Sequence, residues 1–297
     1  MTPIRTLKAD ILLLITAAVW GFAFVAQRAG MEYVGPFTYN AVRFALGGFS
    51  LLPLLAFRQN QRISVGHPSK PLLLAGMATG LALFLGSSFQ QVGLQYTTAG
   101  NAGFITGLYV IIVPLIGLFF KERAGKGVWI GALLAVAGMY FLSVTDNLSI
   151  GMGDMLVLIC AFFFAFHLRL VSRFSPLYNA IRLSIIQFFT TSVLSFLIAV
   201  FYEEILWQDI FDAAIPILYG GVFSAGVAYT LQIIAQKDAP GSHAAILLSM
   251  ESVFAVIGGW WLLSETITLR VLLGAGLMLG GMLSAQLYRL RKKQLTR

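Results

Sequence analysis

The sequence predicts an all-α integral membrane protein of ten transmembrane helices, arranged as two inverted-topology five-helix repeats. Three observations carry that prediction: a composition too poor in charge to face water, ten apolar runs of spanning length, and an internal repeat with an odd number of runs. Of 297 residues, 58% are hydrophobic and only 11% charged, and the mean hydropathy is +0.85. A soluble domain carries roughly 25% charged residues. A chain this poor in charge needs lipid as its solvent.

A spanning helix takes about 20 predominantly apolar residues. That length picks out runs near 9–28, 36–57, 71–94, 98–119, 126–144, 153–172, 179–201, 213–235, 241–263 and 268–288. Polar or helix-breaking residues separate them: Gly35-Pro36, Arg58 to Pro71, Lys121-Glu122-Arg123, Asp146-Asn147, Ser175-Pro176, Glu203 to Asp212, Asp238 to Gly241, and Glu265 to Thr268. No loop is long enough for a separate soluble domain. The first run follows a short basic N-terminus and lacks a small-residue cleavage site, so it reads as a retained helix.

The net charge of +8 describes topology, and no nucleic-acid partner is expected. With the N-terminus in the cytoplasm, 17 of the 20 Lys and Arg fall on the inner side, only Arg28 and Arg270 fall outside, and Arg43 lies within a span. This is the positive-inside distribution. It places both termini in the cytoplasm of a multi-pass protein of the cell (inner) membrane.

The repeat shows in four ordered patches. Asp10-Ile-Leu-Leu-Leu-Ile-Thr-Ala returns 144 residues later as Asp154-Met-Leu-Val-Leu-Ile-Cys-Ala. Tyr39-Asn40-Ala41-Val42-Arg43-Phe44 returns as Tyr178-Asn179-Ala180-Ile181-Arg182-Leu183. Glu122 returns 143 residues later as Glu265, and the glycine pair Gly131 and Gly138 does so as Gly274 and Gly281. The repeats then cover residues 1–145 and 146–297. A unit of five spans inserts its second copy upside down, which supplies two pseudo-symmetric states around a midplane site.

Trp20-Gly21-Phe22-Ala23-Phe24, Gly35-Pro36-Phe37 through Arg43-Phe44, Gly107-Leu108-Tyr109 through Pro114, and Ala244 through Glu251-Ser252-Val253-Phe254 together resemble the EamA family of the drug/metabolite transporter superfamily. The likeness spans nearly the whole chain as two tandem halves. It implies a ten-helix fold and export of amino acids or related metabolites. Family members often carry Glu-Pro where this chain has Glu251-Ser252, so a proline kink in the ninth span is not expected from the chain itself.

An ionised residue at the centre of a span costs about 2.5–3.5 kcal/mol on insertion scales, so it faces a cavity or a partner. Glu251 lies about ten residues into the ninth span, about 15 Å deep at 1.5 Å per residue. It can couple protons, bind a substrate amine, or pack as a protonated side chain. Arg43 can bind a substrate carboxylate, pair with Glu251, or clamp helix-end carbonyls. His167, in the sixth span, can carry a proton near neutral pH or serve packing alone. Asn101, Gln90 and Gln232 can hydrogen-bond a substrate or join helices. Trp20 and Tyr109 can line a pocket. The expected cavity draws on the first four spans and the sixth to ninth, with the fifth and tenth as outer buttresses. Their glycines suit close helix contact or a dimer face.

No phosphate loop, metal cluster or nucleophile–base pair stands out in the sequence, so neither an enzyme nor a cofactor or metal requirement is expected. The single cysteine, Cys160, excludes an intrachain disulfide. The sequence therefore predicts a secondary transporter for a small-molecule substrate, with protons as a candidate coupling ion, working as a monomer or homodimer in the bilayer. Its rivals are an uncoupled facilitator or channel and a membrane-embedded enzyme on lipid-linked substrates.

Overall fold

The computed structural model describes residues 3–59, 70–119, 125–143, 151–264, 266–270, 272–277, 279–281 and 284. The predicted breaks at Glu122 and Glu265, and the basic tail from Arg289 to Arg297, lie outside the described residues. Among the described residues every regular element is helical. Three long helices open the chain: α1 (Pro3–Gly30), α2 (Pro36–Gln59) and α3 (Lys70–Gly93). They are followed by α4 (Ala99–Thr106), α5 (Tyr109–Phe119) and α6 (Lys126–Ser143). The second half holds α7 (Met152–Phe174), α8 (Ala180–Tyr202), the short α9 (Trp207–Asp212) and α10 (Ala214–Leu218). A π-helical segment (Tyr219–Tyr229) then leads into α11 (Thr230–Gln236), α12 (Gly241–Leu248) and α13 (Glu251–Leu263). An apolar helix α14 (Leu272–Gly281) comes last.

Eight of these stretches are long and apolar enough to cross a membrane. They are Leu7–Gly30, Pro36–Phe57, Lys70–Gly93, Ala99–Phe119, Met152–Phe174, Ala180–Tyr202, Ala214–Gln236 and Gly241–Leu263. The stretches read as the fifth and tenth spans contain shorter apolar helices, Trp129–Gly138 and Leu272–Gly281.

Three spans depart from the continuous α-helices that their apolar runs predict. The fourth breaks between α4 and α5, at Gly107, and the ninth between α12 and α13, at Ser249. The breaks match closely. Each follows an eight-residue helix, and the capping residues take nearly the same backbone angles, φ −57°, ψ −12° at Gly107 and φ −60°, ψ −14° at Ser249. Both are tightened turns: Val110 N–H donates to Gly107 O at 3.0 Å and Ser252 N–H to Ser249 O at 3.1 Å. Glycine favours the first break. At the second no proline or glycine is needed, because hydroxyls serve the local carbonyls: Ser249 Oγ donates to Ile246 O and Ser252 Oγ to Ser249 O, both at 2.8 Å. Short side-chain bonds of this kind compete with the helical ladder. The eighth span is wound as a π-helix through its middle, a form concentrated at functional sites.

Lipid tails are as apolar as leucine, so helix contact in a bilayer relies on close packing of small residues. A Cβ on Gly47 of α2 would lie 2.7 Å from Ala225 Cβ, and one on Gly80 of α3 would lie 2.8 Å from Gln187 O. In α14 the glycines divide: Gly281 packs inside the chain, while Gly276 and Gly280 face open space. A Cβ on Gly281 would sit 2.6 Å from Gly131 O and 3.2 Å from Leu134 Cβ. α6 and α14 thus approach closely at Gly131 and Gly281.

One polar contact fixes the start of α2. Glu203, which ends α8, accepts hydrogen bonds from Phe37 N–H at 2.8 Å and Thr38 N–H at 2.7 Å. A carboxylate there satisfies two orphan donors of a helix N-terminus and complements its dipole. Glu203→Ala should lower stability by about 1–2 kcal/mol, the usual worth of an N-cap, with Glu203→Gln intermediate. Thermal unfolding in detergent checks the order.

Candidate functional site

At the centre of the molecule α1, α2, α3, the two breaks, α7 and the eighth span surround a cavity of about 460 Å³, including its open rim. Its lining includes Trp20, Arg43, Gln90, Tyr109, His167, Gln232 and Glu251. Seven of the eight residues singled out in the sequence are thereby brought together. Asn101 is not among them. Its backbone N–H donates to Thr98 Oγ1 at 3.1 Å in the cap that starts α4, so it stands near the end of the fourth span, away from the centre.

The broken helices place the polar groups. Tyr109 is the first residue of α5 and Glu251 the first of α13. Both are buried, 2% and 3% exposed. The Tyr109 hydroxyl faces the Glu251 carboxyl within interaction range, but the geometry falls short of a closed hydrogen bond and leaves Tyr109 Oη and Glu251 Oε1 without a close partner. Gln27 Oε1 and Gln232 Oε1 are likewise unpartnered, and both residues line the same cavity. A buried polar atom without a partner costs about 1–3 kcal/mol. Four of the eleven such atoms among the described residues face this one space, which makes it a candidate place for polar occupants.

Other groups are held by their neighbours. Gln90 Nε2 donates to Thr106 Oγ1 at 3.2 Å, and His167 Nε2 meets Gln187 Oε1 at 3.1 Å. Gln187 belongs to α8, and no residue of α8 lines the cavity. The seventh span, expected in the wall, stands one layer behind and orients His167. Trp20 Nε1 donates to Ser224 O at 3.2 Å, and its ring lies 4.5 Å from that of Tyr229. Tyr229 also meets His167 edge-on at 5.8 Å.

Arg43 departs from two of its predicted uses. It makes no bridge to Glu251, and it does not clamp a helix-end carbonyl directly. Its Nε donates to Asn40 Oδ1 at 3.0 Å, and Asn40 Nδ2 donates to Ser87 O at 3.2 Å. The guanidinium lies over the rings of Phe44 at 4.7 Å and Tyr39 at 5.4 Å. Aromatic faces stabilise a cation in a site with little water. Tyr229 lies within electrostatic reach of both Arg43 and Glu251, so the cavity wall carries both a cation and an acid.

The lining follows the repeat. Trp20 and Phe164, Ala23 and His167, and Phe24 and Leu168 are each 144 residues apart, the spacing of Asp10 and Asp154. Gln90 and Gln232, and Tyr109 and Glu251, are each 142 apart. Ten of the fifteen lining residues fall into these five pairs, while the paired side chains differ. The second half supplies His167 and Glu251 where the first has Ala23 and Tyr109.

Gln27, Thr106, Phe164, Leu168 and Ser224 also line the wall and were not singled out in the sequence. Helical spacing was the available signal for two of them. Gln27 is two turns beyond Trp20, and Phe164 one turn before His167. Ser224 and Tyr229 share a face because the π-helix bonds residue i to i+5, which α-helical counting misses.

Comparison with known proteins agrees with this architecture. Residues 7–144 and 151–285 each match the EamA-like transporter family. An uncharacterized transporter of Archaeoglobus fulgidus is 36% identical over 277 residues, covering 93% of this chain and 85% of that protein. The uncharacterized transporter YoaV of Bacillus subtilis is 22% identical, covering 89% of this chain and 91% of its own. A solved crystal structure shares the fold with a TM-score of 0.78 at 20% identity, over 95% of this chain and 98% of the other. With both halves matched and a relative this similar along nearly its whole length, the chain belongs to the EamA-like transporter family, and it is a multi-pass membrane protein.

Proposed function

We propose that the chain is a secondary transporter that exports small zwitterionic metabolites such as amino acids, by alternating access around the central cavity. It sits in the cell (inner) membrane with both termini in the cytoplasm. The fold underlying this reading is ten spans in two inverted five-helix repeats, residues 1–145 and 146–297, that rock against each other. The observation that carries it is the set of unpartnered polar atoms of Glu251, Tyr109, Gln27 and Gln232 around one cavity. Glu251 and Tyr109 follow matching helix breaks, the arrangement in which discontinuous helices of transporters bind substrate and coupling ions. Glu251 serves a substrate ammonium or a coupling proton, and Arg43 serves a substrate carboxylate. The aromatic rings of Trp20, Phe24 and Tyr229 contact the remainder.

Counterflow in proteoliposomes tests the reading. Labelled amino acids should enter saturably, and faster when unlabelled substrate is present on the other side. Arg43→Gln should raise the half-saturation concentration about tenfold, the equivalent of one charge-assisted hydrogen bond of about 1.4 kcal/mol. The corresponding decarboxylated amine should show no such increase. Flux that neither saturates nor responds to counter-substrate would identify a channel.

A further inference from the structure

The two halves each tie the start of a broken span to the start of a neighbouring helix, at opposite ends of the molecule. Asp10, in the first turns of the first span, bonds His243 of α12 through Oδ1 and Nε2 at 2.7 Å. Asp154, its repeat mate 144 residues on, sits at the start of α7 and accepts a hydrogen bond from Thr97 Oγ1, also at 2.7 Å. Thr97 immediately precedes the Thr98 cap of α4. The first contact closes the face where α1 and α12 begin, and the second closes the face where α4 and α7 begin.

Both contacts join elements that carry the cavity's polar groups. α12 leads into Glu251 and α4 into Tyr109, while α1 carries Trp20 and α7 carries His167. Behind each latch lies a fully buried repeat pair, Leu13 and Val157, three residues beyond the two aspartates. We infer that Asp10–His243 and Asp154–Thr97 are paired gate latches, each holding one face of the cavity closed, so that loss of either opens its own face and leaves the other shut. This rests on the alternating-access reading and adds to it the residues that set which face opens. They are positioning residues and do not touch the cargo. The latches differ in chemistry: a carboxylate with an imidazole on one face, a carboxylate with a hydroxyl on the other.

The test uses the full chain, reconstituted, with Cys160→Ala as background and Leu13→Cys or Val157→Cys as reporter of each face. A membrane-impermeant maleimide reads exposure from both sides of the vesicle. Asp10→Ala should raise labelling at position 13 about fivefold, the low end of usual coupling between sites, without raising it at position 157. Thr97→Val should do the reverse. His243→Ala should reproduce Asp10→Ala, the double variant should add nothing further, and His243→Gln, which keeps a donor, should restore low labelling even if an alanine variant folds poorly. Labelling that rises at both positions together, or at neither, overturns the latches. Reporters that respond to a transported amino acid but to no latch variant overturn the latches and leave the carrier standing. Absence of saturable counterflow in the unaltered protein is what would remove the carrier reading itself.

Discussion

Glu251→Gln should abolish concentrative transport while leaving the protein folded. The substitution keeps the volume and one acceptor oxygen but removes the group that can hold a proton or a negative charge at the cavity. In proteoliposomes under an imposed proton gradient, the unaltered chain should accumulate substrate against its concentration. The variant should only equilibrate it, or stop altogether if the carboxylate binds the substrate amine. A melting temperature unchanged within a degree or two, by the small effect expected of a near-isosteric change, separates a lost function from a lost fold. Full accumulation by the variant at every pH would remove Glu251 from the coupling role.

The second large effect is expected at Gly21. A Cβ built there would lie 2.3 Å from Phe254 Cβ, 2.7 Å from Glu251 O and 2.9 Å from Ala255 N. Two of those atoms are backbone and cannot swing aside, so α1 must move off the start of α13. Gly21→Ala should cost about 1–3 kcal/mol, the range of core overpacking, and Gly21→Val more. Thermal unfolding in detergent gives the stability. Counterflow should fall further than stability does, because the backbone displaced is that of Glu251 itself. A fully stable and active Gly21→Val protein would contradict the packing.

Gly21 also shows how the sequence can be legible in one respect and silent in another. Trp20-Gly21 carries part of the family resemblance, but its physical meaning lies in the fold. Trp20 reaches across to the Ser224 carbonyl, and Gly21 lets the broken ninth span approach α1. The burial of Glu251 was readable because the apolar run around it was long. Arg43, His167, Gln90 and Gln232 were readable for a related reason: a polar group inside such a run has no water to turn to, and the interior is where it can be satisfied. Asn101 looks similar, yet it stands only three residues into the 98–119 run, in the first turn of the helix that starts at Ala99.

What was illegible depended on tertiary contact or on non-α geometry. The break at Ser249 has no proline or glycine to announce it and depends on the hydroxyls of Ser249 and Ser252. The latter also reaches Gly103 O, 149 residues away, at 3.0 Å. The π segment at Tyr219–Tyr229 shifts every later residue of its span relative to an α-helix, and nothing in its apolar composition marks it. The surface helix α9 lies in a stretch whose acids and Trp207 read as a loop.

Among the described residues that line the cavity, Glu251 is the single acid. If Glu251 carries the coupling proton for a zwitterion of zero net charge, each turnover moves at most one elementary charge through the membrane field. A potential of 100 mV then contributes no more than about 2.3 kcal/mol, a gradient of roughly fiftyfold at 1.4 kcal/mol per decade. On that reading the electrical reach of the protein would be set by its having a tyrosine, and not a second carboxylate, at the repeat-equivalent position 109.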